Sequence, residues 1–185
     1  MAVLNKPKVE YSPYELLKFD IKANAPEGIQ NAVCVDILEV NNFVEKAFEA
    51  EGTVTKNKIV FLFGFIDDEG VQRFVQTYAF NISDSPKSKL IGFIRKWLGE
   101  QIPVGFESNQ LIGKKATITV FQRMSKKSGV KYSTIEGITP VVDKEKIATI
   151  PSVAKFVLHG DRRTAIPAEA YAEDQPEATS DNNPF

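Results

Sequence analysis

The sequence predicts an all-β domain that carries one helix. Three observations point that way. Short stretches rich in Val, Ile, Phe and Thr, at 33–38, 58–66 and 116–121, alternate apolar with polar residues or run apolar throughout. Phenylalanine is plentiful, with 13 copies in 185 residues, and aromatic side chains favour pleated, half-buried surfaces. One stretch, 85–98, keeps a helical period.

In that stretch Leu90, Ile94, Trp97 and Leu98 fall at i, i+4, i+7 and i+8, with Phe93 beside them, so one apolar face forms. Ser85 is the expected N-cap, Pro86 the first helical residue and Gly99 the left-handed stop. Arg95 and Lys96 fall in the last turn, where positive charge suits the helix dipole.

The strands follow in order. Residues 1–27 combine Tyr11, Tyr14, Leu16, Leu17 and Phe19 with Pro7, Pro13 and Pro26, and predict an arm or short helix leaning on the body. Val33, Val35 and Ile37 alternate in a first strand, and 40–55 reads as a long connection. The second strand, 53–67, is apolar on both faces. The pattern leaves open whether Phe61, Phe63 and Phe65 or Val60, Leu62 and Ile66 fill the core. Asp67-Asp68-Glu69-Gly70 signals a hairpin into a third strand, 71–82, with Gln72, Phe74, Gln76, Tyr78 and Phe80 on one face. Beyond the helix, 116–121 and 130–138 form a fourth and fifth strand around the basic turn 123–129.

Three strands, a helix and two strands is the order of a five-stranded Greek-key OB-fold barrel, with its helix between strands three and four. A sandwich would need more strands and a doubly wound sheet more helices. The expected organisation is an arm (1–27), the OB domain (28–140), a docking or linker segment (141–166) and a disordered acidic tail (167–185). The docking segment carries Ile147, Ile150, Val153, Phe156 and Val157, interrupted at Pro151.

Composition narrows the function. No run of about 18 apolar residues suggests a membrane span, and residues 1–8 lack a signal-peptide core. A single cysteine, Cys34, fits a reducing compartment, so a cytoplasmic location is expected. One His and one Cys give a zinc site or a thiol–imidazole pair few parts, and no phosphate-binding Gly loop or nucleophile elbow occurs. His159 reads as incidental, and Asp67-Asp68-Glu69 as a turn rather than a metal site. Neither catalysis nor a cofactor or metal is expected.

Charge is unevenly spread. From position 164 onward there are five acids and no Lys or Arg, which leaves 23 basic against 19 acidic residues in the first 163, a balance of +4. A mildly basic body with an acidic tail suggests an anionic partner for the body and another partner for the tail.

A single-strand binder needs cations that follow phosphates and aromatic faces on which unpaired bases stack. The second and third strands offer Lys58, Arg73, Phe74 and Tyr78; the loop between the fourth and fifth offers Arg123, Lys126, Lys127 and Lys131, flanked by Phe121 and Tyr132. In an OB barrel these strands and loops form the usual binding face. Phe121 is out of phase with the buried positions Ile118 and Val120, and Tyr132 adjoins the basic turn.

Two resemblances add to this. The block 58–140 carries Ser85-Pro86-Lys87-Ser88-Lys89-Leu90 before the helix, Trp97-Leu98-Gly99 at its end and Leu111-Ile112-Gly113-Lys114 before the fourth strand. It resembles a phage-encoded family of small OB-type proteins associated with replication and single-stranded DNA binding. The tip Asp181-Asn182-Asn183-Pro184-Phe185 resembles the acidic end of bacterial single-stranded DNA-binding proteins, which terminates in Pro-Phe. That resemblance implies that Asp181, Pro184 and Phe185 dock into a basic, apolar pocket on replication and repair enzymes. Asn182 and Asn183 stand where that pattern has acids.

The expectation is therefore a protein that coats single-stranded DNA in replication or recombination, without sequence preference, in a bacterial host cytoplasm if phage-encoded. Its tail would recruit replication and recombination proteins. The alternative is a non-catalytic OB-type adaptor that does not bind DNA. Homo-oligomerisation is compatible with either.

Overall fold

The computed structural model describes residues 15–21, 24–47, 49, 51–99, 102, 106–126, 128–159 and 164–167. In chain order its strands and helices are β1 (Asp20–Ile21), β2 (Gly28–Lys46), β3 (Thr53–Ile66), β4 (Gln72–Gln76), β5 (Phe80–Asn81), α1 (Lys89–Leu98), β6 (Lys115–Met124), β7 (Lys131–Thr139), α2 (Lys144–Thr149), β8 (Phe156–His159) and β9 (Thr164–Pro167).

β2 organises the main sheet. Its first part, Gly28 to Val33, pairs with β6, and the remainder, Val33 to Lys46, pairs with β3. Register shifts between Cys34 and Asp36 and between Val40 and Phe43 bend the strand. The sequence pattern suggests a connection from residue 40, but the strand continues. Asn42, at φ 55°, takes up the second irregularity, and Phe43 to Lys46 pair again with Thr53 to Lys56. An asparagine accepts that left-handed backbone more readily than most residues.

The sheet order is β4-β3-β2-β6-β7, with β5 also on β3, and every pairing is antiparallel. The path is open: β4 and β7 are its outer strands, and no ladder joins them among the described residues. They nonetheless come within 8 Å of each other. Residues 24–27 occupy this seam. Asn24 bridges to Phe74, Ser133 Oγ and Gln122 Nε2 donate to the Ala25 carbonyl, and Glu27 accepts from the Gln122 N–H at 2.8 Å.

Two apolar layers sandwich the strongly apolar β3. On its inner face Phe61, Phe63 and Phe65 meet Leu90, Ile94 and Trp97 of α1. The Trp97 ring lies 5.0 Å from Phe63 and edge-on to Phe61, and its Nε1 donates to the Lys115 carbonyl at 3.1 Å. On its outer face Val60 and Leu62 join Val33, Val35 and Phe74 under Phe19, Ile150 and Phe156. Both candidate faces of this strand are thus core, although Ile66 at its end is exposed.

Two expectations change. The helix begins at Lys89, because Ser88, in extended backbone, accepts from the Ile91 N–H at 3.1 Å and is the N-cap; Ser85 and Pro86 precede the helix. The third strand is broken at Thr77-Tyr78-Ala79, where Thr77 exchanges two bonds with the Phe61 backbone, through its own N–H (2.9 Å) and its Oγ1 (3.1 Å). Phe74 consequently belongs to the outer layer and Phe80 to the inner one, so they do not share a face.

The outer layer is roofed by a second sheet of order β1-β9-β8, with β1 parallel and β8 antiparallel to β9. Chain segments from before and after the main sheet therefore form one cover. Gln76 ties it down by accepting from the Phe19 N–H (2.8 Å) and donating to the Leu17 carbonyl (3.0 Å).

Candidate nucleic-acid interface

The outer face of β3 and β4, where an OB barrel usually meets its ligand, is occupied by protein. Phe74, expected as a stacking platform, is 0% exposed and lies edge-on against Phe156, 5.2 Å between ring centres. It is a core residue with no ring face for a base. Lys58 is buried too. Its Nζ sits 2.8 Å from Glu45 and 5.7 Å from the centre of the Phe43 ring, so its charge is already neutralised within the β2–β3 ribbon. Lys56 holds the other oxygen of Glu45 at 2.8 Å, and the two lysines hold that carboxyl below the usual range. Arg73 Nε donates to Asp67 at 2.8 Å, and this guanidinium, helped by the Val71 and Glu69 N–H groups, keeps Asp67 below the usual carboxylate range. Both cations support turns and ribbons instead of an open groove.

Tyr78 is half-exposed, but its ring packs 4.4 Å from Phe80, beside Phe93, at the margin of the aromatic cluster under α1; burial pushes its phenol up. It stands apart from the other candidates.

The remaining expected residues gather on the β6–β7 hairpin. Inward positions Ala116, Ile118 and Val120 alternate with outward positions, and past Val120 the strand is exposed through Met124. Phe121 pairs with Thr134 and Arg123 with Tyr132, so both rings and the guanidinium project from one face. Phe121 is 42% and Tyr132 48% exposed. Arg123 pairs with Glu136, whose carboxylate raises the guanidinium pKa further. Lys131, opposite Met124, and Lys126 in the turn are exposed; Lys127 lies outside the described residues.

Three contributors escaped the sequence reading. Met124 and Val130 add exposed apolar surface at the hairpin tip, and Ile29 is exposed on β2 beside Thr119 of β6. Local alternation gives no signal for the last: Ile29 and Asn31 keep the phase of the buried Val33 and Val35, which would place Ile29 inside.

Burial pushes the Cys34 thiol far up, which keeps it protonated and unreactive. Among the described residues no cluster of His, Cys, Asp and Glu could hold a metal ion, and no helix is long and apolar enough to cross a membrane. The hairpin offers non-covalent contacts: two ring faces, a guanidinium and two ammonium groups. The tip residues Asp181, Pro184 and Phe185 lie outside the described residues. Compared with known proteins, the chain matches no family model and no curated sequence.

Proposed function

We propose that this chain is a single-stranded DNA-binding protein of OB type that coats exposed strands in replication or recombination. Support for the OB reading comes from the strand order, from β2 serving both halves of the sheet, and from the helix between the third and fourth strands of the pattern. The residues of the seam, 24–27, stand where a closing ladder would run.

One observation carries the functional reading: Phe121 and Tyr132 are diagonal neighbours on one exposed sheet face. Such neighbours stand about 7–8 Å apart. Stacked bases in a duplex repeat every 3.4 Å or so along each strand. Two rings at the wider spacing accept two splayed bases, one each, and fit a single strand better than a duplex. Lys126 and Lys131 supply phosphate contacts at the same end. The acidic tip, with Asp181, Pro184 and Phe185, is proposed to recruit replication proteins on the strength of its resemblance.

A second reading, a non-catalytic adaptor, is favoured by one feature: Lys58, Arg73 and Arg123 each already hold a carboxylate of this chain. Fluorescence-anisotropy titration of labelled oligo-dT across salt concentrations, beside the matching duplex, separates the two. Tight binding to the single strand that weakens steeply with salt supports the main reading. Absence of binding at low salt leaves the adaptor.

A further inference from the structure

The roof over β3 and β4 leaves another part of the sheet's outer face open, on β6 and the start of β2. On β6, Thr117, Thr119, Phe121 and Arg123 point outward, because Ala116, Ile118 and Val120 point into the core. On β2, Ile29 is the cross-strand partner of Thr119 and Asn31 that of Thr117, so they share the same outward face. Ile29, the second residue of β2, is 73% exposed although it is paired in the ladder. On the β7 side the face is kept shallow by Gly137, where a β-carbon would come 3.1 Å from Thr119 Oγ1.

We propose that the bound single strand runs from the Phe121–Tyr132 pair along this outer face of β6 and β2, across Ile29, to Asn31 and Thr117. The inference rests on the single-strand reading above and fixes the direction the strand takes from the hairpin. Continuity is the first argument: the face runs on along β6, which carries Phe121, and across to its other neighbour β2, with no change of side. Chemistry is the second. Ile29 supplies an apolar contact for a base or sugar beyond the rings. Thr117 donates to Asn31 Oδ1 at 2.8 Å, which fixes the amide and leaves its two N–H donors for base-edge acceptors. Exclusion is the third, since the alternative route over β3 and β4 is filled by Phe19, Ile150 and Phe156. The path ends at Lys115, whose ammonium is held by the Ile147 carbonyl of α2 at 2.8 Å.

The test begins with the full chain titrated against labelled oligo-dT. No salt-dependent affinity would overturn the single-strand reading, and this inference with it. Given binding, Ile29→Cys labelled with a photoactivatable benzophenone should cross-link to oligo-dT on illumination. The native thiol Cys34 is buried and does not compete for the label. The same label at Val142→Cys, which is 91% exposed on the segment after β7, should not cross-link. Ile29→Glu should weaken binding about tenfold, the loss of one base contact, whereas Val142→Glu, with the same added charge, should change it less than twofold. A wild-type chain that binds, with no cross-link at Ile29 and equal affinities for both glutamate variants, overturns the proposed path and leaves the hairpin reading intact.

Discussion

Gly64 lies under the ring of Phe156 so closely that a β-carbon on Gly64 would come 2.6 Å from Phe156 Cε1 and 2.8 Å from Cζ. That contact is where the roof of β1, β9 and β8 meets β3, and it explains a glycine inside an otherwise apolar strand. Any larger residue must push the ring out of its edge-on contact with Phe74. Gly64→Ala should therefore destabilise the fold by about 1–3 kcal/mol through overpacking. Phe156→Ala should cost about 3–5 kcal/mol through the cavity it leaves. Because the two changes act on one contact, the double variant should lose clearly less than their sum. Urea unfolding of the four chains measures this; strict additivity would mean that the ring and the glycine do not share the contact.

The hairpin rings make the opposite prediction, an effect on binding without one on stability. Phe121 and Tyr132 are about half-exposed. Alanine at either position should leave the melting temperature nearly unchanged and cost about 1–3 kcal/mol of affinity for oligo-dT. Phe74→Ala serves as the contrast: with its ring in the core, it should lose about 3–5 kcal/mol of stability. If Phe121→Ala and Tyr132→Ala bind oligo-dT as the wild type does, the hairpin is not the interface.

Several features of this arrangement were legible in the sequence and others were not, for identifiable reasons. The alternation of Ile118 and Val120 with Phe121 placed that ring outside, and the structure agrees, because pleat periodicity is a local property. Lys58 and Arg73 read as free cations because their carboxylate partners, Glu45 and Asp67, are fixed by ribbon register and turn geometry. Phe74 read as a platform because nothing local announces that a segment some eighty residues later will set Phe156 against it. The strand assigned to 71–82 hid its break at Thr77, whose hydroxyl substitutes for ladder geometry in a way that polarity patterns do not record. Continuation of β2 past Val40 was likewise masked by Asn41 and Asn42, residues that ordinarily mark a turn.

Asp67 sets an acid limit on the β3–β4 turn. Its carboxylate accepts from Arg73 at 2.8 Å and from the Val71 and Glu69 N–H groups at 2.8 and 3.0 Å, and these partners lower its pKa. A carboxyl whose folded pKa is lowered contributes stability above its unfolded pKa and loses that contribution as pH falls through the folded value. The effect should therefore be full at neutral pH and fade below the ordinary carboxylate range. Asp67→Asn should lower the melting temperature at neutral pH and flatten the fall of stability toward low pH. Thermal melts of both chains from neutral to strongly acidic pH test the claim; parallel curves would show that Asp67 is not a contributor.

The acidic segment beyond Pro167 carries Glu169, Glu173, Asp174, Glu177 and Asp181 with no compensating cation. Carbon-chain carboxylates at that density compete with phosphates for the same lysines when salt is low. A chain ending at Pro167 should bind oligo-dT more tightly than the full chain at low salt, with the difference vanishing as ionic strength rises. Equal affinities at low salt would show that the tail does not reach the hairpin.

Glu136 offers the sharpest test of how the hairpin meets phosphate. It is the residue left over on β7 where Thr119 pairs with Gly137 and Val120 with Ile135, and it uses that position to hold Arg123. A phosphate that takes Arg123 must displace this carboxylate first, so Glu136 opposes binding both by occupying the guanidinium and by its own charge. The ion pair is exposed, and exposed pairs contribute little to folding. Glu136→Gln should accordingly leave stability almost unchanged. It should tighten oligo-dT binding severalfold and steepen its salt dependence by about one phosphate contact. Arg123→Gln should do the reverse, and in the Arg123→Gln background the Glu136→Gln change should lose most of its benefit. Anisotropy titrations of the four chains at several salt concentrations read out both slope and affinity. If Glu136→Gln tightens binding equally with and without Arg123, the carboxylate acts through its charge alone, and Arg123 does not contact the strand.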